Sequence, residues 1–172
     1  AVVFAPFNKQ AMHLAGLGHD DELHYMATRL KVENYISELN TFDGMWTSRV
    51  TSHIALKEVA ERVNEKNIGE AVRLIYQVLY NSGISSPKIS VAALNPHAGD
   101  GGNFGREEID VIAPAVQSLQ AAGLPVDGPW PSDTVFLKAI AKEIDAVVTM
   151  YHDQGQIALK LLGFSRGVTV QG

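Results

Sequence analysis

Three of the six histidines stand just beyond candidate strands: His53 after the weaker candidate 46–51, His97 after the apolar run 89–94 and His152 after the apolar run 146–151. In open α/β sheets, ligands bind outside the carboxyl ends of the strands. Imidazoles delivered to that edge can converge on one ion. The chain has no cysteine, so histidine ligands favour zinc, cobalt, nickel or a related divalent metal over calcium. Three protein ligands also leave positions open for substrate, the pattern of a catalytic metal site. The competing reading gives each ring a local task, capping an element or bonding a loop carbonyl.

Two further segments carry chemistry. The glycine-rich stretch Asn95-Pro96-His97-Ala98-Gly99-Asp100-Gly101-Gly102-Asn103-Phe104-Gly105 joins a strand to a helix. Its amides are placed to cradle an anion, although Asp100 and the pair Glu107-Glu108 argue against a purely phosphate role. It is not a P-loop, because no Gly-Lys-Ser/Thr follows, and Phe104 stands where a dinucleotide fingerprint needs its third glycine. The run Tyr151-His152-Asp153-Gln154-Gly155 is followed by Lys160. A lysine there can hold a phosphate or carboxylate, or carry a proton. His19 precedes Asp20-Asp21-Glu22; the acids suit a helix cap, and His19 is either part of that cap region or a reader of substrate. No nucleophilic-serine elbow and no HExxH motif occurs.

The elements that must position these groups follow from pattern. Strands are expected at 2–5, 89–94, 146–151 and 167–170, with a hairpin from 34–39 and 46–51 turning at Thr41-Phe42-Asp43-Gly44. Helical spacing covers 55–64, 68–81 and 107–122, with a kink or delayed start at Pro114, and 134–142, capped by Asp133. The strands suit a mostly parallel sheet flanked by helices, with a local antiparallel hairpin. The 172 residues fit a single α/β segment, and a net charge of −5 opposes a general nucleic-acid binder. No run reaches the length of a membrane span and no secretory signal is evident, so a soluble, cytoplasmic domain is expected. The strand-like ends suggest part of a longer protein.

Taken together the motifs resemble the PdxA family, named for 4-hydroxythreonine-4-phosphate dehydrogenase of vitamin B6 synthesis. Leu94-Asn95-Pro96-His97-Ala98-Gly99-Asp100-Gly101-Gly102, Pro131-Ser132-Asp133-Thr134, Met150-Tyr151-His152-Asp153-Gln154-Gly155 and Gly163-Phe164-Ser165-Arg166-Gly167-Val168 occur in the family's order. Pro6-Phe7-Asn8-Lys9 and Gly18-His19 look like family signatures too. The resemblance covers essentially the whole chain and corresponds to the central part of a longer two-domain member. It implies a fold similar to isocitrate and isopropylmalate dehydrogenases and a homodimer with a shared active site. It also implies NAD and a divalent metal (zinc, cobalt, magnesium or manganese). The implied reaction oxidises the secondary alcohol of a phosphorylated hydroxy acid such as 4-phosphooxy-L-threonine, with loss of CO₂ from the resulting β-keto acid.

Residue by residue, the resemblance makes His53, His97 and His152 the metal ligands, with His152 typically given by the partner subunit. His19, Asp20 and Lys160 match substrate-contacting positions, and Asp133 matches a polar position near the metal. Two departures stand out. The chain has Gly18-His19-Asp20-Asp21 where pyridoxine-pathway members have Gly-His-Thr-Glu, and Thr169 where they have Asn. Both positions face substrate, so the chemistry is retained while the substrate is expected to differ, toward a sugar-acid phosphate or a cyclic diol. Two other classes use the same residues: a metal-binding α/β segment without catalysis, and a three-histidine hydrolase, for which no distinct general base is present.

Overall fold

A computed structural model describes every residue except Ala1, Val2, Ala5, Pro6, Asp20 and Phe164. Residues 1–36 with Gln171 cluster as one compact unit, and residues 37–170 with Gly172 as another. In the first unit, α1 (Lys9–Leu14) is capped by Asn8, whose side chain accepts the Ala11 N–H, and α2 (Glu22–Leu30) by Asp21, whose side chain accepts the His24 N–H. The acidic run therefore caps a helix as expected, through Asp21; Asp20 lies outside the described residues. So does half of the strand expected at 2–5, and Val3 and Phe4 carry no regular structure.

In the second unit the strands are β1 (Glu38–Phe42), β2 (Met45–Arg49), β3 (Ile89–Ala92), β4 (Val126–Trp130), β5 (Ala146–Thr149) and β6 (Val168–Gln171). They line up as β4-β3-β5-β2-β1-β6. The pairs β2/β5, β5/β3 and β3/β4 are parallel. The pair β1/β2 is an antiparallel hairpin, turning at Asp43 and Gly44 with φ of 48° and 81°. Two successive positive-φ residues match the twist of the paired strands, so the expected hairpin forms, with both strands displaced toward the turn: 38–42 in place of 34–39 and 45–49 in place of 46–51.

Helices cover both faces. One face packs Leu39, Val91, Val148 and Met150 against Ile68, Val72, Ile75 and Leu79 of α4 (Glu65–Asn81) and Ala115, Val116 and Leu119 of α5 (Ala113–Ala121). The short α3 (Val59–Arg62) adds Val59 to the same layer. The other face packs Ala92 and Val147 against Val135, Phe136 and Ala139 of α6 (Val135–Ile140) and Leu159 of α7 (His152–Gly163). Neighbours such as Val147 and Val148 point to opposite layers, which is why these strands are apolar throughout. No helix among the described residues is long and apolar enough to cross a membrane.

Several expectations are corrected. β4 is a strand that its sequence Val-Asp-Gly-Pro-Trp conceals; proline donates no ladder bond and is tolerated because β4 is an edge. Helix α7 lay unrecognised after His152. The helix expected from 55 begins only as a short 3₁₀ turn at Leu56–Glu58 before α3. Over 107–122 the chain first makes a wide π turn, Glu108–Ile112, and Pro114 then enters at the start of α5. Its missing N–H costs nothing there. Asp133 does not cap α6; Thr134 holds the cap position without a side-chain bond to the helix.

Candidate active site

Because β2, β5, β3 and β4 run parallel, their carboxyl ends open on one edge. There the chain leaves β2 toward His53, β5 toward His152, β3 toward His97 and β4 toward Asp133. Pairing between β2 and β5 continues beyond the strands: the Val50 N–H donates to the Thr149 carbonyl (2.8 Å) and the Thr51 N–H to the Met150 carbonyl (3.1 Å). The Thr51 hydroxyl adds a bond to the same Met150 carbonyl at 2.8 Å. The two segments thus stay together up to the histidines, and the His53 and His152 rings lie 5.6 Å apart between centroids. Asp153 Oδ1 sits 2.7 Å from His152 Nδ1. A carboxylate on one ring nitrogen fixes the tautomer and leaves Nε2 as a free lone pair, the usual arrangement of a metal-binding histidine. The pair therefore fits a divalent cation.

His97 does not join them within the chain. It is exposed, with its ring centroid 6.2 Å from that of Phe104. Among the described residues no group of three His, Asp or Glu side chains is arranged to hold a metal.

The His97 loop is nonetheless built, not loose. His97, Ala98, Gly99, Asp100 and Gly101 run successively through the left-handed region, with φ of 54°, 53°, 77°, 44° and 67°. Each non-glycine residue there costs about 1–2 kcal/mol. The loop is anchored by Glu108, a carboxylate only 3% exposed. Its Oε1 accepts the Leu94 N–H at 2.9 Å and the Asn95 N–H at 2.7 Å, and its Oε2 accepts Asn95 Nδ2 at 3.0 Å. A Cβ on Gly99 would meet Glu108 Oε2 at 2.7 Å, so that position needs glycine for space as well as for φ. Glu108 faces these amides from beneath; it is an anchor for the loop rather than a charge opposing an anion.

A cavity of about 150 Å³ lies between α7 and the β1/β6 edge, lined by Asn40, Gln156, Leu159, Lys160, Gly163, Gly167, Val168 and Thr169. It brings together Lys160 and Thr169, two positions singled out as substrate-facing. Asn40 Nδ2 donates to Thr169 Oγ1 at 2.9 Å. Asn40, Gln156, Glu108 and Arg49 were not foreseen as site residues. Arg49 closes a strand of mixed character, Met-Trp-Thr-Ser-Arg, where a terminal charge gives no sign of burial. Asp133 is exposed in the turn after β4, with no hydrogen bond from its side chain among the described residues. In the first unit, the half-buried His19 ring packs edge-on to Tyr25 at 6.0 Å, and Asp20 lies outside the described residues.

The model of the pyridoxal phosphate biosynthetic protein PdxA matches residues 1–172. The chain is 57% identical, over all of its length and 52% of the relative's, to a Pseudomonas aeruginosa protein named "Putative 4-hydroxythreonine-4-phosphate dehydrogenase 2". It is 40% identical to the D-threonate 4-phosphate dehydrogenase of Pectobacterium atrosepticum, covering 99% of the chain and 52% of the relative. The crystal structure of 4-hydroxythreonine-4-phosphate dehydrogenase from Klebsiella pneumoniae superposes with a TM-score of 0.89 at 38% identity, over 96% of this chain and 51% of that one. A terephthalate 1,2-cis-dihydrodiol dehydrogenase from Burkholderia xenovorans LB400 gives 0.74 at 32% identity, over 79% and 43%. The chain spans about half the length of the curated relatives it matches. With the family model covering it from first residue to last, the chain belongs to the PdxA family.

Proposed function

We propose that the complete protein carrying this chain is a cytoplasmic, NAD-dependent and divalent-metal-dependent dehydrogenase of a phosphorylated hydroxy acid, with this chain as the central segment of a two-domain enzyme. The observation supporting it most is the His53–His152 pair at the carboxyl edge of neighbouring parallel strands, one ring backed by Asp153. When bound, the cation supplies Lewis-acid polarisation of the alcohol oxygen, and NAD accepts the hydride. His53 and His152 hold the ion, and Asp153 keeps His152 in the ligating tautomer. With His53 and His152 paired in one chain, it is His97 that completes the set across a homodimer, in place of His152, the ligand that the resemblance has crossing the interface. Lys160 holds the phosphate by charge, and Thr169 offers a hydroxyl beside it. No described residue is assigned to NAD, since Phe104 breaks the one glycine-rich pattern the chain offers.

A second substrate reading has its own support. Thr169 lines the cavity, and it replaces the asparagine of pyridoxine-pathway members; a relative 40% identical is named a D-threonate 4-phosphate dehydrogenase. A sugar-acid phosphate is therefore proposed alongside 4-phosphooxy-L-threonine. NADH formation with both compounds, with and without chelator, tests the reading. Chelator-sensitive turnover of either compound supports it. Retained metal with no NADH from any phosphorylated hydroxy acid favours a non-catalytic metal-binding role, and ester or amide cleavage a hydrolase.

A further inference from the structure

We propose that Asn40 is a specificity-determining residue of the Lys160–Thr169 cavity and that buried Arg49 is its positioning residue, the two together fixing which way the Thr169 hydroxyl presents its proton. This rests on reading the cavity as the anion-holding end of the substrate site. Arg49 closes β2 and is 4% exposed. Its Nη2 donates to Glu38 Oε2 at 2.5 Å, its Nε to Ser52 Oγ at 3.0 Å and its Nη1 to Asn40 Oδ1 at 3.1 Å. Ser52 adjoins His53, so one guanidinium ties the histidine segment to the cavity wall.

Donor and acceptor chemistry then runs in one direction. A guanidinium has donors only, so Asn40 must turn its oxygen toward Arg49. Gln156 Nε2 donates to that same oxygen at 2.7 Å. The amide nitrogen of Asn40 is thereby aimed at Thr169 Oγ1, 2.9 Å away, where it can only donate. Thr169 accepts this bond and keeps its own proton, which no described residue accepts. The hydroxyl is left as a donor in a cavity already lined by the Lys160 ammonium. Two donors recognise an oxyanion of a phosphate or carboxylate. A ligand presenting a hydroxyl or amine donor as its only polar group there would meet no acceptor from this pair. Both side chains are exposed, so the preference comes from the direction of the two donors rather than from a buried group left unpaired.

The test is a double-variant cycle in the complete protein, using Asn40→Asp and Thr169→Val singly and together. Asn40→Asp keeps the volume and the acceptor for Arg49 and Gln156, but faces Thr169 with an acceptor and turns its proton away from the cavity. Each single variant is expected to raise KM for D-threonate 4-phosphate by about tenfold with kcat within about threefold, and the double variant is expected to be no worse than the poorer single. Multiplying effects overturn the relay, because they show the new charge acting on the ligand directly; so does a KM for Asn40→Asp within about twofold of the parent. Asn40→Ala, which removes the donor to Thr169 without adding charge, carries the same cycle if the aspartate variant fails to fold. Inorganic phosphate, titrated by NMR, separates this from the substrate reading. Phosphate binding with the same non-additive loss, in a protein that turns over neither compound, sinks the substrate and keeps the relay. Phosphate binding indifferent to Asn40→Asp sinks the relay, and no phosphate binding by the parent sinks both.

Discussion

The His53 and His152 rings stand 5.6 Å apart because β2 and β5 are parallel neighbours in register, Arg49 opposite Thr149, and their pairing continues to Thr51 and Met150. Distant segments are thus brought to one point by backbone hydrogen bonds, with no need for the side chains to find each other. His53→Ala and His152→Ala are each expected to lose bound zinc or cobalt while the fold persists, since His53 is exposed and His152 only half-buried. Elemental analysis reads the metal and circular dichroism the fold. Full metal content in both variants removes the pair from the ligand set.

Asp153 bears on the proposed ion site at one remove, through the His152 ring. Asp153→Asn replaces the carboxylate on His152 Nδ1 with a group that no longer fixes the tautomer by charge. Metal affinity is expected to fall by about 10–100-fold, the usual effect of losing such a partner. Competition against a calibrated zinc chelator measures it, and an unchanged affinity would show that His152 needs no orienting carboxylate.

Glu108 governs the backbone that carries His97. Glu108→Gln leaves one acceptor where two carboxylate oxygens serve three donors. Each bond to a charged group contributes about 1.5–3 kcal/mol, so a destabilisation of that order is expected, larger for Glu108→Ala. Urea unfolding gives the magnitude. Faster amide exchange at 97–105 than at β5 locates the effect in the loop.

Asp21 gives the first unit a pH response. Burial pushes its carboxyl up, but the His24 N–H, the His24 ring and Lys9 outweigh burial and hold it below its ordinary value of 3.8. A folded-state value below the unfolded one contributes stability that is present above the unfolded pKa and lost as pH falls through the folded pKa. Helix α2 is therefore expected to fray below about pH 3.8, and Asp21→Ala to weaken it by about 1 kcal/mol at neutral pH, with Asp21→Asn nearly neutral. Exchange of the His24 amide against pH checks both.

Thr169→Asn restores the residue of pyridoxine-pathway members at a cavity-lining position. The ratio of kcat/KM for 4-phosphooxy-L-threonine over D-threonate 4-phosphate is expected to rise by about tenfold. A ratio unmoved by the change would place substrate choice elsewhere, with residues 19–21 as the next to vary.

Parts of the fold whose signals are local were legible along the chain. Apolar runs marked β3 and β5 because each is buried on both faces, and the Asp43-Gly44 turn marked the hairpin. The positions of His53, His97 and His152 just past strand ends were legible for the same reason, as was the acidic cap of α2. Tertiary structure decided what depends on neighbours. Only strand order makes β2 adjacent to β5 and so pairs His53 with His152 while leaving His97 apart. β4 is a strand because β3 offers it a partner, against its own glycine and proline. The roles of Glu108 and Arg49 were invisible because a buried charge is read from the groups it bonds, and those come from Leu94, Asn95, Glu38 and Asn40, on other stretches of chain. Lys160 meets Thr169 for a similar reason: α7 and β6 fold back on the β1 edge, an event of packing that no spacing along the chain encodes.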